Sequence, residues 1–168
     1  LFELAVALRL ARAFASASAK KRRPRLLVGG SGSAYARYIL PDGDDVQLLY
    51  QGWPRESGHS LRSETGTHHR FVPGTTIPDI FLVRRGQHPD RVVLELKATF
   101  SPGYLGSGLS QLLGYLAERP DCWTAPPSGW LVAPRSEAFQ ARAPQPGEPL
   151  WVVDAEQVAD AAVERLTR

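Results

Sequence analysis

Residues 92–98 read Val92-Val93-Leu94-Glu95-Leu96-Lys97-Ala98, a β-branched and aliphatic run with the pattern of an extended strand. Strand side chains alternate between faces, so Val92, Leu94, Leu96 and Ala98 form one apolar face while Glu95 and Lys97 share the other. Upstream, Ile80-Phe81-Leu82-Val83 reads as a second strand, and the connection from Arg84 to Arg91, with Gly86 and Pro89, is short enough for a hairpin. Pairing the two strands antiparallel carries Asp79, which follows Pro78 at the head of the first, towards the end of the second that bears Glu95 and Lys97. Two carboxylates then converge beside one amine.

That grouping suits a hard divalent cation. Mg²⁺ takes oxygen ligands and keeps several waters, so one or two carboxylates and a substrate phosphate make a sufficient site. Such an ion lowers the pKa of a bound water and offsets charge building on a phosphate, while a neighbouring lysine orients the water or neutralises further charge. Asp79, Glu95 and Lys97 therefore read as a metal-dependent phosphodiesterase centre.

The following segment extends the constellation. Ser107 to Glu118 has apolar residues at 109, 112, 113, 116 and 117, a helical spacing that places Gln111 and Tyr115 one turn apart on one side. Their polar tips either reach a phosphate or base near the metal, or Tyr115 is a boundary residue and Gln111 a solvated one. The opening stretch, Leu1 to Phe14, is apolar around most of its circumference and reads as a largely buried helix. Glu3 is its only acid. A buried carboxylate needs a partner, which a metal-bound water or Lys97 would supply; alternatively Glu3 only complements the helix dipole.

Asp79, then Glu95-x-Lys97, then Gln111-xxx-Tyr115 resembles the PD-(D/E)xK nuclease superfamily, in the branch with a trailing glutamine and tyrosine. The leading Leu-Phe-Glu-Leu helix more specifically resembles the nuclease domains of McrBC-type restriction proteins. The resemblance spans about residues 1–134. It implies a three-layer, restriction-endonuclease-like α/β fold with a central mixed β-sheet flanked by helices. It further implies Asp79, Glu95 and the Leu96 carbonyl as ligands of Mg²⁺ or Mn²⁺, Lys97 as the catalytic lysine, and Gln111, Tyr115 and Glu3 as accessory active-site residues. The activity implied is divalent-metal-dependent hydrolysis of DNA by the cleavage module of a bacterial restriction or antiphage defence protein. A catalytically inert nucleic-acid-binding or assembly module on the same fold, and an RNA-cleaving nuclease, share the same residues.

The segment from Gln51 to Pro78 departs from that pattern. It is rich in turn formers, hydroxyls and basic groups, and reads as a long loop of functional or mobile character. His59, His68, His69 and Arg70 are candidate phosphate contacts, and Glu64 is an alternative fourth carboxylate. Without a cysteine partner or regular histidine spacing, a zinc site is not expected there. Gly29-Gly-Ser-Gly32 lacks the ending of a phosphate loop and the third glycine of a dinucleotide fingerprint, so it reads as a turn. No nucleophile-elbow sequence accompanies the serines and histidines.

At 168 residues and 43% hydrophobic, the chain suits one well-buried domain, residues 1–168. Its net charge of +3 is compatible with a polyanionic partner. Lys20 to Arg25, the densest basic run, either holds backbone phosphates or is a solvated helix end. The single cysteine, Cys122, excludes an intramolecular disulfide and suits a reducing, cytoplasmic setting. No run approaches the ~20 apolar residues of a membrane span. The chain opens on Leu1 and has no methionine, so it reads as a domain cut from a longer protein that supplies further domains or subunits. Cutting both strands of a duplex would favour a homodimer. Elsewhere, Ser33–Leu40 and Val46–Gln51 read as a hairpin around Pro41 to Asp45, Gly129 to Ala133 as a core strand, Pro134 to Pro149 as a Pro-rich loop, and Leu150 to Val153 as a last strand, with Asp154 capping a final helix.

Overall fold

The structure is a computed structural model and describes residues 1–19, 35–54, 60–70, 77–99, 101–136 and 142–168. The basic run from Lys20 to Arg25, the Gly29–Gly32 turn and His59 lie outside the described residues. In chain order the elements are α1 (Phe2–Ala17), β1 (Ala36–Ile39), β2 (Asp45–Tyr50), α2 (Leu61–His69), β3 (Ile80–Arg85) and β4 (Asp90–Leu96). There follow α3 (Pro102–Glu118), a single 3₁₀ turn (Pro120–Cys122), β5 (Gly129–Ala133), β6 (Leu150–Asp154) and α4 (Val158–Thr167).

The strands form one six-stranded sheet in sequence order, antiparallel from β1 to β4 and parallel from β4 to β6. Strand alternation divides the apolar residues between two cores. Ile80, Leu82, Val92, Leu94, Leu96, Trp130 and Val132 face α1 and α4, which contribute Leu10, Phe14, Val158 and Leu166. Phe81, Val83, Val93 and Leu131 face α3, which contributes Leu112 and Tyr115. The result is a three-layer α/β fold with a mixed central sheet, the architecture that the sequence resemblance implies. Both faces being covered explains why β3 and β4 read as nearly continuous apolar runs. No helix among the described residues is long and apolar enough to cross a membrane.

Several sequence expectations are corrected. The Gln51–Pro78 segment contains α2, whose start is capped by the Ser60 hydroxyl accepting the Ser63 N–H at 3.2 Å and whose end turns through Arg70 at φ 58°. Its histidines, His68 and His69, are exposed on the last turn with their rings edge to face at 4.8 Å, and Glu64 is exposed on the first. Composition hides this helix because it is short and polar, and it is held from outside: Ser60 Oγ donates to Glu118 of α3 at 2.6 Å. Helix α1 is buried along one face only, through Val6, Ala7, Leu10, Ala11 and Phe14, whereas Leu4 and Leu8 are 38% and 47% exposed. Helix α3 begins at Pro102, a residue well suited to a first turn, and not at Ser107. Its buried stripe is Gly108, Leu112 and Tyr115, while Leu113 is 50% exposed. Asp154 ends β6, three residues before the helix cap. Its carboxylate accepts the N–H groups of Glu156 and Gln157 at 2.8 and 2.9 Å, shaping the turn into α4.

Candidate active site

Sheet register assembles the site. In the β3–β4 pair Ile80 lies opposite Leu94, so Asp79, one residue before β3, comes level with Glu95. The Asp79 carboxylate accepts the Leu96 N–H through Oδ2 at 2.8 Å, and its backbone carbonyl accepts the Gln51 N–H at 2.8 Å. Glu95 is 3% exposed, facing α3 from within β4. Lys97, just past the end of β4, keeps the ladder to β5 by donating its N–H to the Val132 carbonyl at 2.9 Å.

Helix α3 closes the site from above. The Lys97 ammonium donates to Glu95 Oε1 and to Gln111 Oε1, both at 2.8 Å. Tyr115, one turn after Gln111, shares its hydroxyl between the Ile77 carbonyl at 3.1 Å and Glu95 Oε2 at 3.3 Å. Gln111 and Tyr115 are thus neither solvated nor merely boundary residues, and both oxygens of Glu95 have partners. Burial first, and then the charges of Glu95 and Asp79, push the Tyr115 hydroxyl well above the ordinary phenol range, so it stays a proton donor.

Asp79 is in a different electrostatic position. Burial pushes its pKa up to about 7, against the Leu96 N–H that favours its ionised form; the charges of Glu95 and Glu3 raise it further and Lys97 lowers it. Lys97 is hydrogen-bonded to Glu95 and Gln111, so its charge is directed mainly elsewhere. When Asp79 is ionised, it and Glu95 together hold more negative charge than the adjacent ammonium offsets.

Glu3 joins the site by a route the sequence does not suggest. It makes no described contact with Lys97; its Oε2 accepts from the Tyr50 hydroxyl at 3.3 Å and from Gln51 Nε2 at 3.4 Å. Burial and the Glu3 carboxylate raise the Tyr50 pKa in turn. Gln51 is one of two non-glycine residues with positive φ among those described, at 49°, a conformation that concentrates at functional sites. Tyr50 and Gln51, at the end of β2, had no sequence signal beyond the neighbouring strand.

Gly108 is the other residue the sequence left unmarked. A methyl group there would lie 2.6 Å from Leu131 Cδ1 and 2.9 Å from Lys97 Cε, so the bare α-carbon lets α3 settle onto the lysine stem. A glycine inside an otherwise good helical pattern is the signal available for it.

Among the described residues no group of three histidine, cysteine, aspartate or glutamate side chains forms a metal cluster. What the site offers is two carboxylates, at Asp79 and Glu95, beside the backbone of Leu96. This donor set fits a hard, largely hydrated cation and does not fit zinc. The raised pKa of Asp79 fits it too, since a divalent cation would favour the ionised carboxylate. Compared with protein-family models, curated proteins and solved structures, the chain matches none.

Proposed function

We propose that the protein is a divalent-metal-dependent DNA endonuclease of the PD-(D/E)xK type, serving as the cleavage module of a bacterial restriction or antiphage defence system. The observation that carries this reading is the Asp79–Glu95–Lys97 grouping at one end of the β3–β4 pair, closed over by Gln111 and Tyr115 from α3. Mg²⁺ or Mn²⁺ would be held by Asp79, Glu95 and the Leu96 carbonyl. When bound, the ion supplies a Lewis acid for the phosphate and acidifies its water.

The chain's own groups then divide the remaining work. Lys97 places a positive charge where a phosphodiester gains negative charge during in-line attack, and its ammonium can orient the attacking water. Gln111 holds that ammonium in place, and its amide N–H groups are left to donate. Tyr115 donates to Glu95 and, through Ile77, ties α3 to the segment that enters Asp79. Glu3, Tyr50 and Gln51 set the surroundings of Asp79 from the other side.

The test is cleavage of duplex DNA with Mg²⁺ or Mn²⁺, with single-stranded DNA and RNA as parallel substrates. Asp79→Ala and Lys97→Ala should each lower cleavage by about 1,000-fold or more while circular dichroism shows a folded protein. A variant retaining full metal-dependent activity sinks the assignment. No cleavage of any substrate, together with Mg²⁺ or Mn²⁺ calorimetry that does not differ between the parent and Glu95→Ala, would identify the inert binding module instead.

A further inference from the structure

Helix α3 contains four glycines whose surroundings are described, and they are not alike. A β-carbon at Gly103, Gly106 or Gly114 would meet nothing within 4 Å, whereas at Gly108 it would meet Leu131 Cδ1 at 2.6 Å, Lys97 Cε at 2.9 Å and Lys97 Cγ at 3.2 Å. A glycine in a helix interior is less favourable than alanine by about 1 kcal/mol, so Gly108 needs a reason that the other three do not supply. The contact atoms give it. Leu131 Cδ1 is the tip of a side chain that a shorter residue at 131 would withdraw. Lys97 Cε cannot move freely, because the next atom, Nζ, is bonded to Glu95 Oε1 and Gln111 Oε1 at 2.8 Å each.

The lysine is therefore held at both ends of its side chain. Its backbone N–H is fixed to Val132 on β5, and its ammonium is fixed by a carboxylate of β4 and an amide of α3. Between those points its methylenes cross α3 at Gly108, and Gln111 stands three residues further along the same helix. A methyl at 108 forces either the stem off its path or α3 away from the sheet. Both displace Nζ from Gln111.

We infer that Gly108 is a positioning residue for the Lys97 ammonium: its missing side chain is what lets the lysine reach Glu95 and Gln111 together. The inference rests on the nuclease reading for its consequence in catalysis, and on geometry alone for the placement of the lysine.

The experiment compares Gly108→Ala, Gly108→Ala with Leu131→Val, and Gly114→Ala as a control in the same helix. Gly108→Ala should lower kcat by about 100-fold, the scale of a misplacement near 1 Å, with KM and Mg²⁺ binding little changed. The double variant, which trims only the leucine contact, should regain melting temperature but not kcat. Gly114→Ala should cleave like the parent. The chain has three lysines, Lys20, Lys21 and Lys97, so ¹⁵N-lysine labelling resolves few ammonium signals, and Lys97→Gln assigns the relevant one. That signal should be protected from exchange in the parent and exposed in Gly108→Ala. Parent-like kcat in Gly108→Ala, or recovery of kcat in the double variant, overturns the inference. If the parent cleaves nothing, the nuclease reading fails, and the ammonium signal alone decides the placement: unchanged protection in Gly108→Ala overturns it.

Discussion

At the far end of β3 from the candidate site, Arg84 is 2% exposed and donates to Asp44 at 2.8 Å, to the Leu166 carbonyl at the end of α4 at 3.1 Å, and to Asp42. Asp44 also accepts the Gln87 and His88 N–H groups at 2.8 and 3.0 Å. At the near end, the Asp79 carboxylate accepts one described hydrogen bond and faces two other acids. The two ends respond oppositely. The Gln87 N–H, with His88 and Arg84, holds Asp44 below the usual carboxylate range despite burial, while burial and like charges push Asp79 up to about 7. One end is an ion network whose central carboxylate is fully hydrogen-bonded and closes a turn; at the other, a half-buried carboxylate lies among like charges with a single described hydrogen bond. An under-compensated carboxylate suits a cation site, whereas one saturated with hydrogen bonds suits a structural lock.

The turn at the Arg84 end is built around Asp44. Gly86, at φ +131°, has no room for a side chain, because its β-carbon would fall 2.0 Å from Asp44 Oδ1. Arg84→Ala should therefore have the largest effect on stability, a fall in melting temperature of roughly 10 °C, since it leaves Asp44 and the Leu166 carbonyl short of a buried partner. Per folded molecule, cleavage and Mg²⁺ binding should be those of the parent, because Arg84 lies on the α1–α4 face and Asp79 on the α3 face. A loss of cleavage beyond the loss of folded protein would break the separation of the two ends. Because the folded pKa of Asp44 is depressed, its contribution is present above the ordinary carboxylate range and is lost as pH falls through it.

Asp79 has the opposite sign. Its folded pKa, about 7, lies above the ordinary 3.8, so the folded state holds a proton that the unfolded state releases, and stability falls as pH rises across that window. Asp79→Asn keeps an oxygen for the Leu96 N–H and removes the titration. In EDTA at pH 8 it should be more stable than the parent by on the order of 2 kcal/mol, allowing for solvent screening of a half-buried group. The difference should vanish near pH 4. Denaturation at both pH values checks it. Equal stability at pH 8 would mean that Asp79 is as well compensated as Asp44, and the contrast between the two ends would fall.

The same contrast marks what the sequence makes legible. Asp79, Glu95 and Lys97 can be placed together from sequence because two-residue alternation and a short antiparallel connection determine faces and ends without any knowledge of packing. Gln111 and Tyr115 follow from helical spacing, but the buried face of α3 does not, since the leucines outnumber the small residues that make the contact at Gly108. The Arg84–Asp44–Leu166 network escapes sequence reading because its members are 40 and 82 residues apart and depend on where α4 ends. Helix α2 is hidden for a related reason: its capping serine is a local signal, but the helix is short and polar and its anchor on Glu118 is a tertiary contact. Glu3 is readable as an acid on an apolar helix, yet its partners, Tyr50 and Gln51, require the placement of α1 beside the end of β2.

Glu3 offers the finest adjustment of the comparison. Its hydrogen bonds, at 3.3 and 3.4 Å, are long, and as a cause of the raised Asp79 pKa its charge ranks behind burial and Glu95. Glu3→Gln keeps an acceptor for Tyr50 and removes only the charge. Cleavage should fall less than about tenfold, well short of the loss on removing Lys97. In metal-free protein the Asp79 carboxyl, followed by carbon NMR, should titrate below about 7, and by less than in Glu95→Gln. Mg²⁺ then competes with a less tightly held proton, so binding at pH 6 should tighten relative to the parent unless Glu3 itself contacts the ion. Weaker binding at every pH would place Glu3 among the ligands, and the charge that unbalances this end of the sheet would then belong to three carboxylates acting on one cation.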